Sequence, residues 1–324
     1  MIDSHGRVID YMRISITDRC NLRCQYCMPD NVETMSHADI MRFEEIITIC
    51  KSASELGIKK FKVTGGEPLV RKGCIDFLRE LKRLPLVEQV TLTTNGVLLG
   101  EHLEELKAIG IDGINISLDT LDAKQYAQIT GRDEFDKVIA SIIKCQSIGI
   151  RTKVNAVLIK GVNEDQFIRL TELAKDYKID VRFIEVMPIG YGKKYSGFDR
   201  KELLTKLKDS YPDYSIDTQV HGNGPANYVK IADFMGSIGF IDAIHGKFCD
   251  KCNRIRLTSD GILKLCLYYE NGINLKKFLR EGATEEEITK KMKDIIMKKP
   301  LEHQFHSDAT EGEEESKKMS EIGG

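Results

Sequence analysis

Two hydrophobic periods alternate along the first part of the chain. From Tyr11 to about Met187, short runs with a two-residue period are separated by longer runs with a period near 3.6. Strands are predicted over 11–17, 59–64, 87–94, 111–119, 150–159 and 179–187. Helix patterns fill the gaps: 43–57 ending at Gly57, 75–84 stopped by Pro85, 102–109 ending at Gly110, the segments leading to Gly149, and 164–177. Six βα-type units predict a parallel sheet covered by helices, with right-handed crossovers. Six units fall short of a full eight-stranded barrel, which leaves a doubly wound sheet or an incomplete barrel. Either architecture puts reactive residues at the C-terminal ends of strands. Gly65-Gly66-Glu67, Thr93-Thr94-Asn95 and Ser117-Leu118-Asp119 fall there.

The texture changes near Gly190. Loops rich in Gly and Lys or Asn occupy 190–197 and 221–228, and short strand candidates follow in YVKIA, SIGFI, RIRLTS and ILKLCLY. Asp260-Gly261 predicts a hairpin turn between the last two. One helix pattern runs from about Thr284 to Lys298. The resulting division is 1–189, a smaller α+β domain over 190–306, and a flexible polar tail over 307–324 that ends in Gly-Gly.

Composition narrows the class. Of 324 residues, 41% are hydrophobic, enough for a sizeable core. No run of 18 apolar residues occurs, so a membrane-spanning helix is not expected, and the N-terminus lacks a signal-peptide pattern. With a formal net charge of -2, an anionic ligand would have to be held by a local cluster of Arg and Lys. Nine cysteines without a secretion signal argue against a disulfide framework. Cys50, Cys74 and Cys145 fall in helix patterns and read as small buried hydrophobes. The other six form two spaced groups.

Cys20, Cys24 and Cys27 have the spacing C-x3-C-x2-C directly after the first strand. Three thiolates can hold three irons of a cubane and leave a fourth open, as chemistry at a metal requires. The alternative is a zinc knuckle with His37 as a distant fourth ligand. Cys249, Cys252 and Cys266 follow C-x2-C-x13-C, a spacing shared by zinc ribbons and iron–sulfur sites. Here His245 could complete a structural zinc site. Arg254 and Arg256 lie two apart on a predicted strand, so both face one way beside this group, which suits a phosphate-rich ligand.

The first group, with Tyr26 as the aromatic before its last cysteine, resembles the signature of radical S-adenosylmethionine enzymes. The Gly65-Gly66-Glu67-Pro68 run resembles that family's second motif. The resemblance implies a complete or partial (β/α) barrel, here an incomplete (β/α)6 TIM-type barrel. It also implies a [4Fe-4S] cluster on Cys20, Cys24 and Cys27, with S-adenosylmethionine on the open iron. Tyr26, Gly66, Ser117 and Met187 are the S-adenosylmethionine-binding positions that it implies.

The two cysteine groups, the Asn253-Arg254-Ile255-Arg256 run and the Gly323-Gly324 terminus together resemble the GTP 3′,8-cyclase family of molybdenum-cofactor biosynthesis. That resemblance covers nearly the whole chain. It implies a second [4Fe-4S] cluster on Cys249, Cys252 and Cys266 that binds the guanine of GTP. It implies that a 5′-deoxyadenosyl radical removes the ribose 3′-hydrogen and that C3′ then attacks guanine C8, giving (8S)-3′,8-cyclo-7,8-dihydroguanosine 5′-triphosphate. Arg13, Lys62, Thr93, Lys153, Arg254 and Arg256 match GTP contacts, and Arg256, Gly323 and Gly324 match positions needed for catalysis. At Lys62 the chain departs from the arginine common in the family, which keeps the charge and loses the bidentate fork. Acidic residues from Glu311 to Glu315 would tether the terminal glycines. A homodimer, a ferredoxin- or flavodoxin-type electron donor, transfer of the product to a cyclic pyranopterin monophosphate synthase, and a reducing cytoplasm are further implications. Two other readings differ in kind. A peptide-maturing radical enzyme would carry more cysteines in the second domain, and a zinc-stabilised nucleotide-binding module would leave the first group without purpose.

Overall fold

The fold is known from a computed structural model, which describes residues 1–29, 32–305, 315 and 317–323. Strands β1 (Tyr11–Ser15), β2 (Lys60–Thr64), β3 (Gln89–Thr94), β4 (Gly113–Ser117), β5 (Thr152–Val157) and β6 (Asp180–Ile184) pair in parallel and in chain order. Helices α1 (Phe43–Glu55), α2 (Cys74–Arg83), α3 (Leu99–Ile109), α4 (Ala123–Thr130), α5 (Phe135–Ser147) and α6 (Phe167–Asp176) connect them. The sheet does not close on itself, so the architecture is a partial TIM-type barrel.

The two-residue period explains which face is which. Met12, Ile14, Phe61, Val63, Val90, Leu92, Ile114, Ile116, Val154 and Val181 are all buried against the outer helices. The alternating set (Arg13, Lys62, Thr93, Asn115, Asn155, Arg182) lines the inside. An α/β barrel core ordinarily fills with branched aliphatics. Here polar side chains occupy those positions, and the interior holds cavities instead. Cys50, Cys74 and Cys145 are buried on helix faces, as their spacing predicts.

The chain beyond residue 190 builds on both edges of this same sheet. Strand β9 (Ile238–Ile241) pairs in parallel with β6, and β8 (Asn227–Lys230) and β7 (Ser215–Asp217) continue outward in antiparallel sense. On the other side β10 (Arg254–Leu257) pairs in parallel with β1, followed by β11 (Ile262–Lys264) and β12 (Gly272–Asn274). Gly261 has φ +88 at the predicted hairpin turn, a conformation that glycine adopts without penalty. Helix α9 (Glu285–Ile296), capped by the Thr284 hydroxyl, packs on α1.

Two further helices, α7 (Arg200–Ser210) and α8 (Leu275–Arg280), have no counterpart in the sequence reading. Helix α7 buries only Leu203 and Leu207, so its apolar stripe is too narrow to set a period. The tail also differs from a free tether where it is described. Glu315 is buried and paired with Lys264, Lys317 pairs with Asp260, and Met319–Ile322 form helix α10 with Ile322 fully buried. One buried and one partly buried ion pair and an apolar anchor hold this segment against the sheet. Glu311 to Glu314 lie outside the described residues.

Candidate active site

The first cysteine group sits on the loop after β1. The Gln25 amide donates to the Ile129 carbonyl at 3.1 Å and the Arg23 amide to the Thr130 carbonyl at 2.7 Å, which moors the loop on the end of α4. The Cys27 and Met28 amides both donate to the Cys24 carbonyl. The Cys20 sulfur accepts from the Leu22 amide at 3.4 Å and from Asn95 Nδ2 at 3.7 Å. Burial raises the Cys20 thiol, raises Cys24 strongly and pushes Cys27 up to about 12. Charges of other sulfurs of the set raise Cys24 and Cys27 further.

Gly66 and Glu67 lie beside this loop. The Gly66 amide donates to the Thr17 carbonyl at 2.7 Å, and a Cβ at Gly66 would run into the Arg19 carbonyl. Only glycine permits that approach. Glu67 is buried and accepts from the Asn95 amide (2.6 Å), the Thr94 hydroxyl (2.8 Å) and the Leu69 amide (3.0 Å). Burial outweighs these three bonds and raises its carboxyl to about 7. Tyr26 donates its hydroxyl to Asp119 at 2.6 Å, and the Val157 amide donates to the other oxygen of Asp119 at 2.9 Å.

One cavity of about 330 Å³ is lined by all six grouped cysteines. Tyr26, Gly66, Ser117 and Met187 line it too, as do Arg13, Lys62, Thr93, Arg254 and Arg256. Lys153 does not. It lines a second cavity of about 250 Å³ in which its ammonium bonds Asp180 at 2.7 Å and the Tyr228 hydroxyl at 3.0 Å. Tyr11, Lys62, Arg182 and Gly224 line both spaces. Met187 lies three residues beyond β6 rather than at its end.

Cations dominate the interior. Arg13 is the Cα partner of Arg256 on one side and of Lys62 on the other, a row across three parallel strands. Burial lowers all three, Arg256 and Lys62 strongly, and other cations lower them further. A buried row of like charges calls for an anion. Arg256 Nη1 donates to the Gly323 carbonyl at 2.8 Å. Gly323 has φ +76, and a Cβ there would strike the Thr64 hydroxyl. Gly324 lies outside the described residues.

In the second cysteine group burial raises Cys249, as in the first, but Cys252 stands in the opposite surroundings. Burial pushes Cys252 up, but the charges of Arg254 and Lys299 and hydrogen bonds from Arg254 outweigh it and bring the thiol down to about 7. His245 turns to Glu185, which also accepts from the Ile244 amide, and His37 is exposed, so neither complements a cysteine group. Among the described residues no three His, Cys, Asp or Glu side chains are gathered to hold one metal ion. Sets of three sulfurs suit a multi-iron cluster with one open iron better than a closed four-ligand zinc site.

The sequence reading missed Arg182 as a cavity-lining residue, while Asp119 lines the cavity from the strand end where reactive residues are expected. Arg182 is buried on β6 and bonds Asn115 (2.8 Å) and Asn155 (2.6 Å). A charged residue at an inward position of a parallel strand was the available signal.

Comparison with known proteins agrees with this geometry. Residues 14–174 match the Radical SAM superfamily and residues 179–305 match the family Molybdenum Cofactor Synthesis C. The structure of Streptococcus suis SuiB bound to S-adenosylmethionine shares the fold, with a TM-score of 0.65 at 19% identity over 94% of this chain and 69% of that one. Fold and site therefore define a radical S-adenosylmethionine enzyme, a class that works with S-adenosylmethionine and an iron–sulfur cluster. Proteins named GTP 3′,8-cyclase from Clostridium perfringens (strain 13 / Type A) and Syntrophomonas wolfei subsp. wolfei are 43% and 42% identical, each over the full length of both chains. The chain belongs to the GTP 3′,8-cyclase family. Among the described residues no helix is long and apolar enough to cross a membrane.

Proposed function

We propose that the chain converts GTP to (8S)-3′,8-cyclo-7,8-dihydroguanosine 5′-triphosphate, the first step of molybdenum-cofactor biosynthesis. The observation that carries this reading is a single cavity lined by both cysteine groups and by Arg13, Arg254 and Arg256. Cys20, Cys24 and Cys27 would hold one [4Fe-4S] cluster, and Cys249, Cys252 and Cys266 a second. When bound, the first cluster supplies the electron that splits the sulfonium of S-adenosylmethionine into methionine and a 5′-deoxyadenosyl radical.

The chain's own residues then position the reactants. Gly66 offers close-approaching backbone at the end of β2 for the methionine end of S-adenosylmethionine. Tyr26, fixed by Asp119, and Met187 flank its adenine, and Ser117 supplies a hydroxyl. Arg13, Lys62 and Arg254, with Thr93, would hold GTP beside the second cysteine group in the same cavity. The guanidiniums neutralise phosphate charge within a desolvated space. Lys153 would receive the far end of the triphosphate through the residues shared by the two cavities. Arg256 acts with the terminal Gly323-Gly324 at the reacting nucleotide. Segments 1–189 and 190–306 are read as the radical and substrate portions, and 307–324 as the tail that reaches the site.

A cytoplasmic homodimer, a ferredoxin- or flavodoxin-type donor, and delivery of the product to a cyclic pyranopterin monophosphate synthase complete the reading. The test is anaerobic incubation of iron-reconstituted protein with S-adenosylmethionine, dithionite and GTP, followed by mass spectrometry. The expected products are 5′-deoxyadenosine and an isomer of GTP that converts to a pterin in acid. 5′-Deoxyadenosine without that isomer would move the substrate elsewhere.

A further inference from the structure

Lys299 follows α9 and is only 3% exposed. Its ammonium donates to the Arg254 carbonyl at 2.9 Å and to the Leu265 carbonyl. Arg254 lies two residues after Cys252, and Leu265 immediately precedes Cys266. One side chain therefore ties together the two segments that carry the second cysteine group. Arg7 secures the third. Its Nη1 donates to the Cys249 carbonyl at 2.9 Å and to the Leu301 carbonyl at 2.8 Å. Its Nη2 donates to the Pro300 carbonyl at 2.8 Å.

The two cations differ in how their charge is met. Arg7 pairs with Asp3 at 2.7 Å. Lys299 pairs with no carboxylate among the described residues. A buried ammonium without a counter-charge is costly. Burial lowers Lys299, and the groups that favour its charged form are Cys252 and Cys266, against Arg7 and Arg254. Its bonds to the Arg254 and Leu265 carbonyls hold the ammonium beside the segments of both cysteines. The first group stands otherwise: the charge of Asp119 raises both Cys24 and Cys27.

We propose that Lys299 is a positioning residue of the second cysteine group, which fixes the separation of the Cys252 and Cys266 segments and raises the reduction potential of the cluster bound there. The inference rests on the reading that this group holds an iron–sulfur cluster. One-electron reduction adds one negative charge to such a cluster, and a fixed cation in a desolvated site stabilises the reduced state.

The test uses the full chain with Cys20, Cys24 and Cys27 replaced by Ala, so that only the second group can load. The protein is reconstituted with iron and sulfide and titrated with dithionite under electron paramagnetic resonance. Lys299→Met shifts the midpoint potential to more negative values, and Lys299→Arg restores it toward the Lys299 protein. If Lys299→Met does not fold, the comparison of Lys299→Gln with Lys299→Arg reads the same charge effect. A loaded Met or Gln protein whose potential does not move, or an Arg protein that shifts as far as the neutral variants, overturns the inference alone. Failure of the Cys20/Cys24/Cys27 variant to take up any iron overturns the two-cluster reading and this inference with it.

Discussion

Arg13 and Arg256 stand side by side as Cα partners on the parallel strands β1 and β10, although they come from opposite ends of the chain. Two buried guanidiniums in register repel one another, and the charge of Arg13 adds to burial in lowering Arg256. Their juxtaposition gives the cavity its charge, and it exists only because β10 docks on the open edge of the barrel.

Arg256→Ala removes a buried donor from both the cation row and the Gly323 carbonyl. Loss of such a charged partner costs about 2–5 kcal/mol, so GTP cyclisation should fall at least ~30-fold. Slow release of 5′-deoxyadenosine from the first cluster should persist. Quantifying both products by mass spectrometry checks this, and unchanged GTP turnover would refute the role of Arg256.

Gly323→Ala should be nearly as damaging as deleting Gly323-Gly324. The residue has φ +76, where an L side chain costs about 1–2 kcal/mol, and its Cβ would meet Thr64. Product formation should drop about tenfold or more while the melting temperature of the apoprotein stays with the parent. A fully active truncation would show that the tail has no part in the site.

Glu67→Gln should destabilise the fold through a mismatch of donors. Glu67 accepts three hydrogen bonds and donates none, so an amide NH₂ would face another donor. An unsatisfied buried group of this kind costs about 1–3 kcal/mol. Urea denaturation of the apoprotein should give a lower midpoint with an unchanged slope; equal midpoints would contradict the role of Glu67 as a staple between β2 and β3.

Lys153 gives a pH signature. Burial lowers its ammonium from 10.5 to about 8. Between those values the unfolded chain binds more protons than the folded one, so stability contributed by this group rises with pH and is lost as pH falls through about 8. Melting temperatures of the apoprotein and of Lys153→Met, compared across that window, should differ in slope, the parent gaining more on alkalinisation. Parallel curves would exclude this protonation linkage.

Much of the scaffold is legible in the residue order because it follows from local rules. Six alternations of period two with period 3.6 give the six parallel strands and the first six helices, and Gly57, Gly110 and Pro85 mark where helices stop. The spacing of Cys20, Cys24 and Cys27 is equally local, since it places three thiols on one loop. Helices α7 and α8 escape the pattern because each buries too few apolar residues to set a period. Lys153 looks like a companion of Arg13 in the sequence, since both lie on barrel strands. The structure separates them, because Lys153 turns to Asp180 and Tyr228 in the other cavity.

The sequence by itself determined the βα repeat, the reactive strand ends and the composition of each cysteine group, because side-chain periodicity and short spacings are local properties of the chain. Only the tertiary structure decided that strands from beyond residue 190 flank both edges of one sheet, that both cysteine groups open into one space, and that Gly323 reaches Arg256. Those relations depend on parallel pairing between distant segments, which no local rule encodes. Burial then decided the chemistry: it fixed which carboxyls rise and which ammoniums fall.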